Sequence, residues 1–332
     1  MKKPRLSLRN LLLLTISISM IIIISILSYF IYSNMSAEIR EQEKEKINAI
    51  SKTMETKLDD LQEQGEIAVS LVAKNTAVQA AFAERDRDLL RDMLLEAYQD
   101  ISDEMAQFQF HLPDSTSFLR LHRPEKYGDD LSSFRFTVNQ ANENKELVAG
   151  IEEGRGGYGL RVVSPVEYQG EHLGTVEFGS SLGEGFLGEI EGDFTGDYYL
   201  YSLAGTENVS WEEDSSNWIA STEDNDPYQL SEQLISRLEN GETIIETRGD
   251  NNLLLLPFED YQGEISGYFK AAFDRSWIVS SLNTLARNVV IFALLGILIT
   301  LIITFFVSKK IFDPLEDFEG MFAALALGNL NV

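Results

Sequence analysis

The stretch Pro165-Val166-Glu167-Tyr168-Gln169-Gly170-Glu171 returns as Pro257-Phe258-Glu259-Asp260-Tyr261-Gln262-Gly263-Glu264, at an offset of 93 residues over Tyr-Gln-Gly-Glu, and Gly174 is answered by Gly267. In each copy a polar turn joins two apolar runs, which reads as a β-hairpin at the end of a sheet. Recurrence at the same place among neighbouring elements indicates two similar α/β modules in tandem.

The flanking sequence fills in both modules. Short runs punctuated by Gly, Pro and Asp predict strands over 109–112, 118–122, 147–152, 158–168 and 172–181, with a helix over 130–145. Gly183, Gly185, Gly188, Gly192 and Gly196 form a glycine-rich bridge. After it come strands over 198–203 and 218–221, a helix over 231–239, and strands between 243 and 273, so a second, smaller module begins near residue 195. Upstream, Ile47, Ile50, Met54, Leu58, Leu61, Ala68 and Val72 recur at helical spacing, which predicts a long amphipathic helix. A second helical stripe runs through Leu90, Leu94, Ala97, Ile101, Met105 and Phe108.

Leu11 to Tyr32 runs 22 residues without a charge and Val289 to Val307 runs 19, each enough to cross a hydrocarbon core of roughly 30 Å as a helix. Lys2, Lys3, Arg5 and Arg9 precede the first span and Lys309 and Lys310 follow the second. Both termini are therefore expected in the cytoplasm, with residues 33–288 outside. The first span is too long for a cleaved signal peptide and lacks a cleavage site.

The chain of 332 residues carries 27 Lys and Arg against 53 Asp and Glu, and the outer segment alone carries 21 against 49. That excess of negative charge argues against nucleic acid as a partner. Cysteine is absent and only His111, His122 and His172 are present, which excludes disulfides, Cys-ligated zinc and thiol nucleophiles.

The run Phe110-His111-Leu112-Pro113-Asp114-Ser115-Thr116-Ser117-Phe118-Leu119-Arg120-Leu121-His122-Arg123-Pro124-Glu125-Lys126-Tyr127-Gly128-Asp129-Asp130-Leu131, followed by Gly154-Arg155-Gly156-Gly157-Tyr158-Gly159-Leu160-Arg161, resembles the double Cache sensory domains of bacterial transmembrane receptors, over roughly residues 33–288. The resemblance implies an α+β fold: a long N-terminal helix carrying two tandem PAS-like (Cache) α/β modules, flanked by two transmembrane helices. Near the other end, Ile311, Pro314, Leu315, Phe318, Phe322, Leu325 and Gly328-Asn329-Leu330 resemble the opening helix of a HAMP signal linker, broken off before its second helix. The steps 315, 318, 322 and 325 form a coiled-coil seam that needs partner helices, most simply from a homodimer. The expected organisation is a cytoplasmic terminus (1–10), a first span (11–32), a long helical region (33–107), a membrane-distal module (108–194), a membrane-proximal module (195–276), a helix with the second span (277–307) and a partial HAMP linker (308–332).

Residues 111–161 hold seven Lys and Arg against eight Asp and Glu, whereas the rest of the outer segment holds 14 against 41. Cations concentrated in one module of an anionic domain suit an anion-binding pocket. Strand alternation is expected to put Phe118, Arg120 and His122 on one sheet face, where a carboxylate meets the planar guanidinium and the imidazole while Phe118 and Tyr127 exclude water. Arg161, Arg155 and His111 are further candidates. The 154–159 run lacks the ending of a phosphate-binding loop and reads as a tight strand connection. Asp129-Asp130 and Glu152-Glu153 read as solvated turns. No catalytic constellation, metal site or cofactor is expected.

The reading is a dimeric transmembrane chemoreceptor of the methyl-accepting kind, sensing a small extracellular anion of the organic carboxylate class. It would signal through HAMP to a cytoplasmic output module and its signalling partners. The alternatives are the input region of a sensor histidine kinase, and a surface structural or adhesion protein.

Overall fold

The computed structural model describes residues 8–103, 105–154, 157–203, 218–312, and 314, 318, 321 and 322. Helix α1 (Leu8–Ala73) is followed by α2 (Thr76–Ala83) and α3 (Arg87–Gln99). The first module then comprises β1 (Gln107–His111), β2 (Ser117–Arg120), α4 (Phe136–Asn144), β3 (Val148–Gly154), β4 (Gly157–Tyr168) and β5 (Glu171–Ser181). Helix α5 (Glu184–Asp193) leads to the second, with β6 (Asp197–Ser202), β7 (Trp218–Ser221), α6 (Glu232–Glu239), β8 (Ile244–Arg248), β9 (Asn251–Glu259) and β10 (Ile265–Asp274). Helix α7 (Ser276–Val307) and a π-helical turn, Ser308–Phe312, follow.

The two sheets are antiparallel and share one topology, β2-β1-β5-β4-β3 and β7-β6-β10-β9-β8. The repeated sequence closes the β4–β5 and β9–β10 hairpins. In the first, Gln169 and Gly170 both take positive φ (53° and 84°), the two-residue turn whose twist matches the strands. In the second the loop is longer: Asp260 N–H donates to Glu264 O at 2.8 Å, and Gly263 takes φ 82°. The repeated glycine has a steric cause. A Cβ at Gly174 (φ 133°) would collide with the carbonyl oxygen of His111 on β1, and one at Gly267 with that of Tyr201 on β6.

Helix α1 serves both modules. Val69 and Ala73 join α2 and α3 over one face of the distal sheet, with Phe82, Leu90, Tyr98, Phe108, Phe110, Leu119, Val176 and Phe178 in one core. Ile47, Ile50 and Met54 pack with α5 on the proximal sheet against Tyr198, Leu200, Leu254 and Phe269. Ile151, Tyr158 and Leu160 of the distal sheet enter that second core, so residues 46–275 form one compact unit. Asn75 and Asp86 start α2 and α3 by accepting from backbone N–H groups of the first turn.

Three elements differ from the sequence expectation. Helix α3 stops at Gln99 in a turn, and Phe108 lies in β1. The glycine-rich bridge contains α5, because Phe186, Leu187 and Ile190 bury one face and override the poor helix propensity of Gly. Helix α4 begins at Phe136, six residues later than Asp130, since Arg135 ahead of it is drawn into the sheet.

The other compact unit takes residues up to Glu45 and from Ser276 onward. Its two helices, within Leu11–Ala73 and Ser276–Ile311, are long and apolar enough to cross a membrane. They expose rows of Leu, Ile and Phe, including Leu14, Ile26, Phe292 and Phe305, which suits lipid. They meet at small and polar side chains: Ser17 Oγ lies 3.3 Å from Thr304 Oγ1, and Gly296 lets Ile24 approach. Of the HAMP-like seam, Phe318 and Phe322 are exposed, whereas Leu315, Leu325 and Gly328-Asn329-Leu330 lie outside the described residues.

Candidate functional site

Strand alternation gives the distal sheet a polar face opposite its helical core. Gln109 and His111 of β1, Ser117 and Arg120 of β2, Glu152 of β3, Arg161 of β4 and Thr175 and Glu177 of β5 lie there, covered by α4 and the segment leading to it. Gln109, His111, Glu152, Arg161, Thr175 and Glu177 are all buried.

Glu177, on the central strand, is the hub. Its Oε1 accepts from Arg135 Nη2 at 2.5 Å and lies 3.9 Å from Arg161 Nη1, while its Oε2 accepts from Gln109 Nε2 at 3.1 Å. Burial pushes the Glu177 carboxyl up, but Arg135, His111 and Arg161 together outweigh it and hold it down at about 2. Arg135 also donates through Nε to Glu152 Oε2 at 2.9 Å. Burial opposes its charge, and the two carboxylates overcome that and hold the guanidinium above its ordinary value. Glu152 in turn accepts from Thr137 N at 2.8 Å and Thr137 Oγ1 at 2.8 Å, so a strand carboxylate caps the N-terminus of α4.

His111 is fully buried, and its Nδ1 lies 3.1 Å from Thr175 Oγ1. Burial pushes its pKa down to about 3, so the ring is neutral near pH 7. Its Nε2 lies 3.5 Å from Glu177 Oε2 without a hydrogen bond, a contact between a neutral ring and a carboxylate. Arg161 is 3% exposed, and its Nε has no hydrogen-bond partner among the described residues. Burial, with Arg135 nearby, lowers its pKa to about 10. Three glycines make room for it: a Cβ at Gly154 or Gly159 would stand 3.1 or 3.0 Å from the guanidinium, and one at Gly179 would collide with it.

The structure thus brings together Arg120, His111 and Arg161 of the sequence candidates. Arg120 lies on the expected face opposite Gln109, but Nη1 and Nη2 donate to Asp129 at 2.7 and 2.9 Å, and Nη1 also to Lys126 O at 3.0 Å. It holds the covering segment in place. His122 lies just beyond β2, half-buried, with Nδ1 unpartnered among the described residues and its pKa lowered by burial to about 4. Phe118 does not share the face of Arg120. A bulge between Phe110 and His111 breaks the alternation, and Phe118 packs on Phe82 with ring centroids 5.2 Å apart. Tyr127 is exposed under the guanidinium of Arg87, 3.3 Å from its ring centroid, and lines no part of the polar face. Arg155 lies outside the described residues.

Sequence reasoning missed Arg135, Glu152 and Glu177. The Glu152-Glu153 pair, read as a solvated turn, belongs to β3, and Glu152 is 4% exposed. Asp129 likewise serves as the partner of Arg120. One signal was available: Glu177 stands between Val176 and Phe178 in a strand whose neighbours are apolar on both sides, an unusual place for a charge without a buried partner.

A model of the family described as the double sensory domain of two-component sensor kinases matches residues 40–271. No curated protein matches the sequence. Among solved structures, the chain is similar to a domain of a sensory box/GGDEF family protein from Vibrio parahaemolyticus, at 12% identity and TM-score 0.49, over 73% of this chain and 99% of that one. It is similar to the sensory domain of the Campylobacter jejuni chemoreceptor Tlp3 with isoleucine bound, at 11% identity and TM-score 0.49, over 73% and 97%. The Vibrio cholerae LuxQ periplasmic domain matches at 12% identity and TM-score 0.45, over 68% and 97%.

Proposed function

Since the chain belongs to the family of double sensory domains of two-component sensor kinases, we propose that it is the input region of a membrane receptor whose distal module binds a small organic anion, of the carboxylate class, at Arg161. The observation that carries this reading is the state of Arg161. Its guanidinium is buried in a glycine cradle, its Nε is unpartnered among the described residues, and its contact with Glu177 is long, at 3.9 Å. A planar donor fork left short of acceptors suits a carboxylate. Arg120 and Arg135, already held by Asp129, Glu152 and Glu177, shape the site around it.

Binding signals only by favouring one of two conformations. The polar face includes Glu152, which caps α4, and the neighbouring Ile151 O accepts from Tyr261 N at 3.0 Å in the β9–β10 hairpin. Strand β10 runs into α7 through Arg275, and α7 continues toward the HAMP-like residues. On this reading both termini are cytoplasmic, the receptor is a homodimer, the residues themselves are non-catalytic, and the output is of the methyl-accepting chemotaxis kind. A second reading, favoured by the description of the family, is a histidine-kinase output.

The test is a thermal-shift screen of residues 33–288 against organic acids, amino acids and sugars, where a ligand at 100 times its Kd adds about 2.7 kcal/mol. A carboxylate hit is expected, and Arg161→Ala should weaken it by about 1.5–3 kcal/mol, roughly 10- to 150-fold. Undiminished affinity in that variant would remove Arg161 from the site.

A further inference from the structure

The proximal module carries a buried charge of its own, in the position that Glu177 holds in the distal one. Lys270 lies 93 residues after Glu177, the offset of the sequence repeat. Glu177 pairs with Gln109 and Val163 on its flanking strands, and Lys270 with Tyr199 and Leu255 on the equivalent ones. Lys270 is 1% exposed and faces away from the core shared with α1.

Its surroundings hold a carboxylate of the chain itself. The ammonium ion-pairs with Asp226 and donates to Tyr228 O at 3.1 Å. The rings of Tyr199 and Tyr201 flank it, each centroid 4.8 Å from Nζ. Tyr201 Oη donates to the same Asp226 oxygen at 2.6 Å. Asp226 therefore meets a cation and a tyrosine hydroxyl inside an aromatic wall, the donors a free carboxylate would need.

Asp226 comes from a strap, residues 222–231, that has no helix or strand of its own. The sheet grips the strap by its carbonyls: Tyr199 Oη donates to Asn225 O at 3.1 Å and Arg248 Nη1 to Gln229 O at 2.6 Å. In the distal module the segment between β2 and α4 sends Arg135 to Glu177. The segment between β7 and α6 sends Asp226 to Lys270, so the two modules use one clasp with its polarity reversed.

We propose that the Lys270 face of the proximal module is a second ligand site, for small carboxylates, and that Asp226 of the strap is its resident occupant, which a free carboxylate must displace. The proposal does not depend on Arg161, because the cation and the module differ.

The test uses the full chain of 332 residues in detergent, with acetate as the probe and chloride at matched ionic strength as the control. Thermal midpoints are read by tryptophan fluorescence. In Asp226→Ala the midpoint should rise by a few degrees as acetate reaches about ten times its Kd. Wild type should respond less, because the tethered strap competes at high effective concentration. The rise should persist when Arg161→Ala is added, and in that background, with the distal cation gone, it should vanish when Lys270→Met is added as well. Asp226→Ser, which keeps a hydroxyl for Lys270 and Tyr201, takes its place should the alanine variant not fold. Should neither fold, hydrogen exchange of residues 222–231 in wild type decides, faster in acetate than in chloride if the strap is displaced. The idea is overturned by variants that acetate moves no more than chloride does, by a rise that survives loss of Lys270 in the Arg161→Ala background, or by strap exchange indifferent to acetate.

Discussion

Three groups of the distal module, His111 and Glu177 buried and His122 half-buried, resist protonation in the folded state and so tie stability to pH. His111 and His122 are lowered from 6.5 to about 3 and about 4, so below pH 6.5 the unfolded chain takes protons that the folded one refuses. Their contribution is complete above pH 6.5 and is lost as the pH falls toward those values. Glu177 is lowered from 4.5 to about 2, so its contribution holds above pH 4.5 and is lost between there and about 2. Denaturant midpoints of residues 33–288 should be level above pH 7 and fall in two overlapping stages below it. His111→Gln should shrink the upper stage and keep most of the Glu177 stage, because Arg135 and Arg161 still hold that carboxyl down; an unaltered upper stage would mean that the imidazole is not excluded from protonation by burial. The same groups show how far the site could be read from sequence. Arg161, Arg120 and His111 were reachable from local charge balance and strand alternation. Arg135 and Glu152 were not, because their function lies in meeting across 17 residues of chain. Phe118 was misplaced because one bulge reverses the parity on which alternation depends.

Hairpins show a different kind of legibility. Gly170 and Gly174 stand four residues apart, both at positive φ, and fulfil different requirements. At Gly170 nothing lies within 4 Å of a Cβ, so Gly170→Ala should cost only the backbone conformation, about 1 kcal/mol. At Gly174 the Cβ would run into the carbonyl of His111, and the β1–β5 pairing must open to admit it. Gly174→Ala should therefore destabilise by clearly more, beyond the roughly 1–3 kcal/mol of backbone strain, as read from urea midpoints. Equal losses would show that β1 yields freely. The repeat was visible because turn residues and close backbone approaches leave a trace that tolerates few substitutes. Helix α5 left none, since glycine propensity argued against it and the burial of Phe186, Leu187 and Ile190 is a tertiary effect. The start of α4 was missed for a similar reason, its N-terminus being capped by a carboxylate from β3.

Although the modules repeat in sequence, the unit they form is not divisible at the repeat boundary. Ile151, Tyr158 and Leu160 of the distal sheet lie in the core built around Leu254, Phe258 and Phe269 of the proximal one. Tyr158 Oη bonds Ser202 Oγ and Ser266 Oγ, both at 3.0 Å, and Gly150 lacks a side chain where a Cβ would stand 2.6 Å from Tyr261 Cα. Strand β3 therefore has one side in each business: Glu152 faces the polar cluster while Ile151 packs into the shared core and accepts from the β9–β10 hairpin. Modules joined in this way cannot melt separately without exposing the apolar surface of both. Calorimetry of residues 33–288 should give one transition, with calorimetric and van't Hoff enthalpies equal. Any ligand of the distal face should move that single transition as a whole. Two resolved transitions, only the first moved by ligand, would show that the shared core does not couple the modules, and would leave a distal binding event without a mechanical route into β10 and the helix that follows it.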